Sequence, residues 1–108
     1  MKIIQLSYGT IILLEENIAE VIINEGVAMD IAMIDHYHDV LKSNLKAPFS
    51  LLINKKFSYT YDFYAQRNLA TLKEIVAMAV VAYNKMASMS TEVLEKLPRP
   101  TEWHLKIF

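Results

Sequence analysis

The first quarter of the chain sets short β-branched runs between polar breaks. Ile11-Ile12-Leu13-Leu14 and Ala19-Glu20-Val21-Ile22-Ile23 flank Glu15-Glu16-Asn17, which predicts two antiparallel strands joined by a short connection. Ile3 to Tyr8 reads as a further strand with Gly9 as its bend, and Gly26 ends the hairpin after Asn24-Glu25. The chain has two glycines, and both fall where a turn is wanted.

The period then lengthens. Asp30 stands as an N-cap before a helix reaching about Leu45. At 100° per residue, Ile34, Tyr37, Leu41 and Leu45 gather on one side, with Asp35, Asp39 and Lys42 on another. Pro48 marks the next connection. Phe49 to Ile53 predicts a short buried strand, and near Asp62 a second helix begins that carries Ala65, Leu69 and Leu72 inward. Ile75 to Tyr83 is apolar throughout, as expected of a central parallel strand. Lys85 to Leu97 stripes Met86, Met89, Val93 and Leu97 along a third helix, which Pro98 and Pro100 stop. Trp103 to Phe108 alternates like an edge strand.

The order is hairpin, helix, strand, helix, strand, helix, strand. Strands alternating with helices imply right-handed crossovers. The class is therefore α/β: a mixed, mostly parallel sheet with an N-terminal hairpin and helices packed against it. A chain of 108 residues without a linker or repeat reads as one domain.

Composition changes this picture little. Hydrophobic residues make up 54%, above the usual range of about 45–50%, which suits a covered sheet or a surface hidden in an oligomer. Net charge is −1, from eleven basic and twelve acidic residues. Nucleic-acid binding by phosphate neutralisation asks for a basic excess, so no nucleic-acid partner is expected. The basic residues are scattered, which disfavours a membrane anchor. The apolar run ending at Tyr83 is about half the roughly 20 residues of a membrane span. With Met1-Lys2-Ile3-Ile4-Gln5-Leu6-Ser7 unlike a cleavable leader, the expected location is cytoplasmic. Cysteine is absent, which removes disulfides, thiolate catalysis and zinc–cysteine sites.

Candidate chemistry is sparse. Asp35-His36-Tyr37-His38-Asp39 invites a metal hypothesis. Two residues apart on a helix, however, the two imidazoles point about 200° away from each other. The expectation is a solvated face with a partly buried His38, and no metal or cofactor. No Gly-x-Ser-x-Gly elbow is present, and two glycines cannot build a standard phosphate-cradling loop. No enzyme is expected. The most distinctive stretch is Phe57-Ser58-Tyr59-Thr60-Tyr61-Asp62-Phe63-Tyr64 after Lys55-Lys56, which holds five of the eleven Phe, Tyr and Trp residues. It follows a strand and precedes a helix, at the sheet edge where open α/β folds take their ligands. Lys55, Lys56, Phe57, Tyr59, Tyr61 and Tyr64 are the candidate contact surface. Its bland counterpart is an extended connection pinned by its aromatics against the helices. Ser58 and Thr60, beside two lysines, are candidate phosphorylation positions. Met78, Met86 and Met89 are read as core.

The same residues resemble a known family. Ser7-Tyr8-Gly9-Thr10-Ile11, Ile23-Asn24-Glu25-Gly26-Val27, Leu51-Leu52-Ile53-Asn54-Lys55, Ala79-Val80-Val81-Ala82-Tyr83-Asn84 and Pro98-Arg99-Pro100-Thr101-Glu102-Trp103 are similar to small proteins of the STAS family, which includes bacterial anti-sigma-factor antagonists and transporter regulatory domains. The resemblance covers nearly the whole chain. It implies a STAS-like fold and a regulatory module that binds a protein partner. Because the fold group is described alongside lipid-exchange domains, it also implies an alternative, a small carrier or sensor of an apolar ligand. Phosphorylated members carry an Asp-Ser-Ser-Gly or Asp-Ser-Thr-Gly turn, where this chain has Asn54-Lys55-Lys56-Phe57-Ser58-Tyr59-Thr60-Tyr61-Asp62. That switch is not carried over. Relatives commonly add a helix after the last strand, whereas this sequence stops at Phe108. The alternation of Trp103, Leu105 and Ile107 therefore predicts a homodimer through the C-terminal edge strand.

Overall fold

A computed structural model describes residues 2–69, 72–83 and 104–107. The predicted third helix, with Met86 and Met89, lies outside the described residues. Strands β1 (Lys2–Leu6), β2 (Gly9–Glu15) and β3 (Ile18–Ile23) form an antiparallel meander. After it come β4 (Ala28–Met29), α1 (Ile31–Asn44), β5 (Phe49–Lys55), β6 (Thr60–Tyr61), α2 (Phe63–Leu69), β7 (Ile75–Ala82) and β8 (His104–Ile107). The main sheet runs β1-β2-β3-β5-β7-β8, with β5 parallel to both β3 and β7, and β7 parallel to β8. Two junctions are antiparallel and three parallel, so the sheet is mixed rather than mostly parallel. The cause is β1, which pairs fully with β2 and turns the expected hairpin into three strands.

Side-chain alternation decides where the core lies. On β5, Phe49, Leu51, Ile53 and Lys55 are buried while Ser50, Leu52 and Asn54 are half-buried. Ile11 faces Val21, Val21 faces Ile53, and Ile53 faces Val80, so one buried row crosses four strands. A second row joins Ala19, Leu51 and Met78. On β7, Met78 and Val80 are buried and Ala79 and Val81 half-buried, so among the described residues the deeper burial lies on one face. Strand order explains this. The β3-to-β5 and β5-to-β7 connections step in the same direction, and by the right-handed rule for such crossovers their helices fall on one face. There α1 buries Ile34, Tyr37, His38 and Leu41, and it touches α2. The opposite face carries polar pairs, with Asn54 Nδ2 donating to Glu20 Oε2 at 3.0 Å and Thr10 Oγ1 to Gln5 Oε1 at 2.9 Å.

Helix ends follow the sequence signals. The Asp30 carboxylate accepts from Met33 N–H at 2.8 Å, and the Asp62 carboxylate accepts from Ala65 N–H at 2.7 Å; each satisfies a first-turn N–H that has no partner within its helix. Gly26 holds φ at +77°, the left-handed turn conformation. Gly9 is not a bend. It opens β2, and a Cβ there would stand 2.5 Å from the Ile22 carbonyl oxygen.

Candidate functional site

Two connections meet at the carboxyl ends of β3 and β5. The segment before α1 and the segment before α2 are laced by a parallel two-strand bridge, Ala28 beside Thr60 and Met29 beside Tyr61. Thr60 N–H donates to the Val27 carbonyl at 2.9 Å, Asp62 N–H to the Met29 carbonyl at 2.9 Å, and Gly26 N–H to the Ser58 carbonyl at 2.7 Å. The Glu25 carboxylate accepts from Ser58 N–H. This lacing gives residues 59–61 a strand's period of two. Tyr59 and Tyr61 share one side of the backbone, and exposed Thr60 takes the other.

Behind the bridge lies a cavity of about 30 Å³, room for a group of two or three heavy atoms. Its apolar lining includes Val21, Ile53 and Val80 from the buried row, with Ile23, Met29 and Met78 beside them. Among the described residues, four polar side chains join them: Lys55, Tyr37, Tyr59 and Tyr61. Lys55 is 6% exposed, and its Nζ lies 5.3 Å and 5.4 Å from the ring centroids of Tyr59 and Tyr61. Among the described residues neither a carboxylate nor a hydrogen-bond acceptor pairs with that ammonium. The rings offer it their negative faces, yet burial still pulls its pKa down from 10.5 to about 8. Burial pushes the phenols the other way: Tyr61 to about 12, and Tyr59 and Tyr37 well above their ordinary value. All three therefore stay protonated at neutral pH.

The six residues expected to form one contact surface divide in two. Lys55, Tyr59 and Tyr61 turn inward onto the cavity. Lys56, Phe57 and Tyr64 stand outside, the Lys56 Nζ 5.1 Å from the Phe57 ring centroid. Phe63 stacks edge-on against Tyr64 at 5.6 Å, and both are 66% exposed. Tyr37, from the buried stripe of α1, and Phe63 belong to this region although the sequence reading gave them no site role. For Tyr37 the available signal was its place on the α1 face that meets the sheet. Ser58 and Thr60 are exposed. The two histidines go separate ways: His36 Nδ1 lies 3.0 Å from the Tyr8 hydroxyl, whereas His38 is buried. Among the described residues, no three His, Asp or Glu side chains converge as a metal site would need, and no helix is long and apolar enough to cross a membrane.

No family model, curated protein or solved structure matches this chain.

Proposed function

We propose that this chain is a non-enzymatic interaction module of STAS-like fold that receives a protein partner at the carboxyl ends of its parallel strands. The observation that carries the reading is the placement of exposed aromatic rings. Phe57 follows β5, Phe63 and Tyr64 open α2, and Tyr83 follows β7; every other described aromatic residue is buried or half-buried. Rings left in water where packing does not require them, and gathered at one edge, suit the anchor positions of a protein interface. The STAS-like part rests on the succession of a β-meander and βα units that add strands one at a time.

A lipid carrier draws no support from the cavity. A drug-sized ligand fills roughly 300–1,000 Å³, and about 30 Å³ is available here. Self-association through β8 remains part of the proposal, since that strand stands last in the sheet order; light scattering at high concentration is expected to give a dimer mass, and a monomer mass removes it.

Photo-crosslinking in the native cell tests the partner site. A benzoylphenylalanine placed at Phe57 or Tyr64 is expected to trap a discrete adduct, and one at exposed Glu15, on β2, to trap none. Equal trapping at all three positions overturns the proposal.

A further inference from the structure

We infer that the cavity around Lys55 is a binding site for a small monocarboxylate, separate from whatever the exposed aromatic rim engages. Three features of the enclosure select this chemistry. First, Lys55 is the charged side chain among the described lining residues, and it is 6% exposed with no carboxylate partner among the described residues. A buried charge is stable only when it is paired. A single negative charge completes the site, whereas a metal cation is repelled and a dianion leaves an excess charge in an apolar shell.

Second, the hydrogen-bonding groups beside the ammonium are donors. The Tyr59 and Tyr61 hydroxyls lie 3.1 Å apart, and their mutual bond uses one of two phenolic protons. The other is free for an acceptor, and the Tyr37 hydroxyl adds another. Because burial holds all three phenols protonated, they offer hydrogen bonds to an anion rather than compete with it. Third, the size and remaining surface fit. About 30 Å³ admits two or three heavy atoms, which suits a carboxylate group and little beyond it, and a phosphate is too large. Met29, Met78 and Val80 supply apolar surface beside it, so the substituent that the carboxylate carries is a hydrogen or a methyl group.

Sodium formate and acetate, titrated against sodium chloride at matched ionic strength, test this by nuclear magnetic resonance of the full chain. The probes are the methionine methyls and the Lys55 side chain. Saturable shifts at Met29, Met78 and Lys55 are expected, with half-saturation in the range of about 1 mM and a rise in the Lys55 pKa on binding. Lys55→Met is expected to weaken binding at least tenfold, and Tyr59→Phe with Tyr61→Phe to weaken it less while leaving the fold intact. Shifts that stay linear with concentration, that chloride reproduces, or that persist unchanged in Lys55→Met overturn the inference. The variant Phe63→Ser with Tyr64→Ser separates the two readings: it is expected to lose the trapped partner and keep carboxylate binding, and loss of both denies the cavity a separate role.

Discussion

The Tyr59 and Tyr61 hydroxyls meet at 3.1 Å across rings set edge-to-face, their centroids 5.4 Å apart. Two residues of extended backbone bring them together, and the bridge to Ala28 and Met29 keeps that backbone extended. Removing either oxygen leaves the other without this partner. Tyr61→Phe is expected to cost about 0.5–1.5 kcal/mol in urea unfolding. Thr60→Val, on the exposed side between them, is expected to change stability by less than about 0.5 kcal/mol.

Lys55 makes stability rise with alkali over a defined window. Its pKa is about 8 in the fold and 10.5 ordinarily, so between those values the unfolded chain holds more protons than the folded one, and stability increases with pH. Below about 8 the cost of the buried charge is constant. Tyr8 and Tyr61, raised from 10 to about 12, stabilise fully below pH 10, and that contribution is lost as pH climbs toward 12. The expected profile rises from pH 8 and turns over near pH 10. Lys55→Met is expected to be more stable than the parent at pH 7 by about 2 kcal/mol, with the margin shrinking at pH 10; denaturant midpoints at pH 7, 8.5 and 10 check both.

His38 sets the acid limb. Its Nε2 is buried without a partner among the described residues, and burial lowers its pKa from 6.5 to about 4 despite the nearby carboxylates of Asp35, Asp39 and Glu74. The unfolded chain therefore takes up the proton first as pH falls. The stabilisation from a neutral His38 is complete above 6.5 and is lost down to about 4. Thermal unfolding of His38→Leu at pH 7 and pH 5 is expected to show a smaller drop than the parent. An unchanged drop assigns the acid sensitivity elsewhere.

The two glycines are expected to fail differently. A Cβ at Gly9 meets the Ile22 carbonyl oxygen at 2.5 Å and the Ile23 Cα at 3.1 Å, backbone atoms that cannot swing aside. Gly9→Ala is expected to cost about 2–3 kcal/mol. At Gly26 a Cβ meets nothing within 4 Å, and only the φ of +77° resists. Gly26→Ala is expected to cost about 1–2 kcal/mol, and calorimetry separates the two.

Much of this framework was legible locally. Asp30 and the spacing of Ile34, Tyr37, Leu41 and Leu45 place α1 to within a residue, and all four apolar positions are buried. The β-branched run beginning at Ile75 lies between two parallel neighbours, as its composition implies. The cavity was harder to read. Asn54-Lys55 looked like the polar end of a strand at Ile53, yet β5 continues through Lys55 and the pleat turns that lysine inward. For Tyr59 and Tyr61 the pattern left open whether they form surface or pin the connection, because their strand partners, Ala28 and Met29, lie some thirty residues away and leave no local signature. One-sided burial was likewise hidden, because an apolar run does not record which face the crossovers cover.

In the main sheet every strand pairs with the one made just before it, from β1 out to β8. A ribosome can therefore build the assembly vectorially: the meander docks as soon as it emerges, and each later unit finds a finished template edge waiting. The meander closes through tight turns, whereas the three parallel pairings each wait for a crossover to be made; sequential addition limits the time that nascent β-edges stand open to misassembly with other chains.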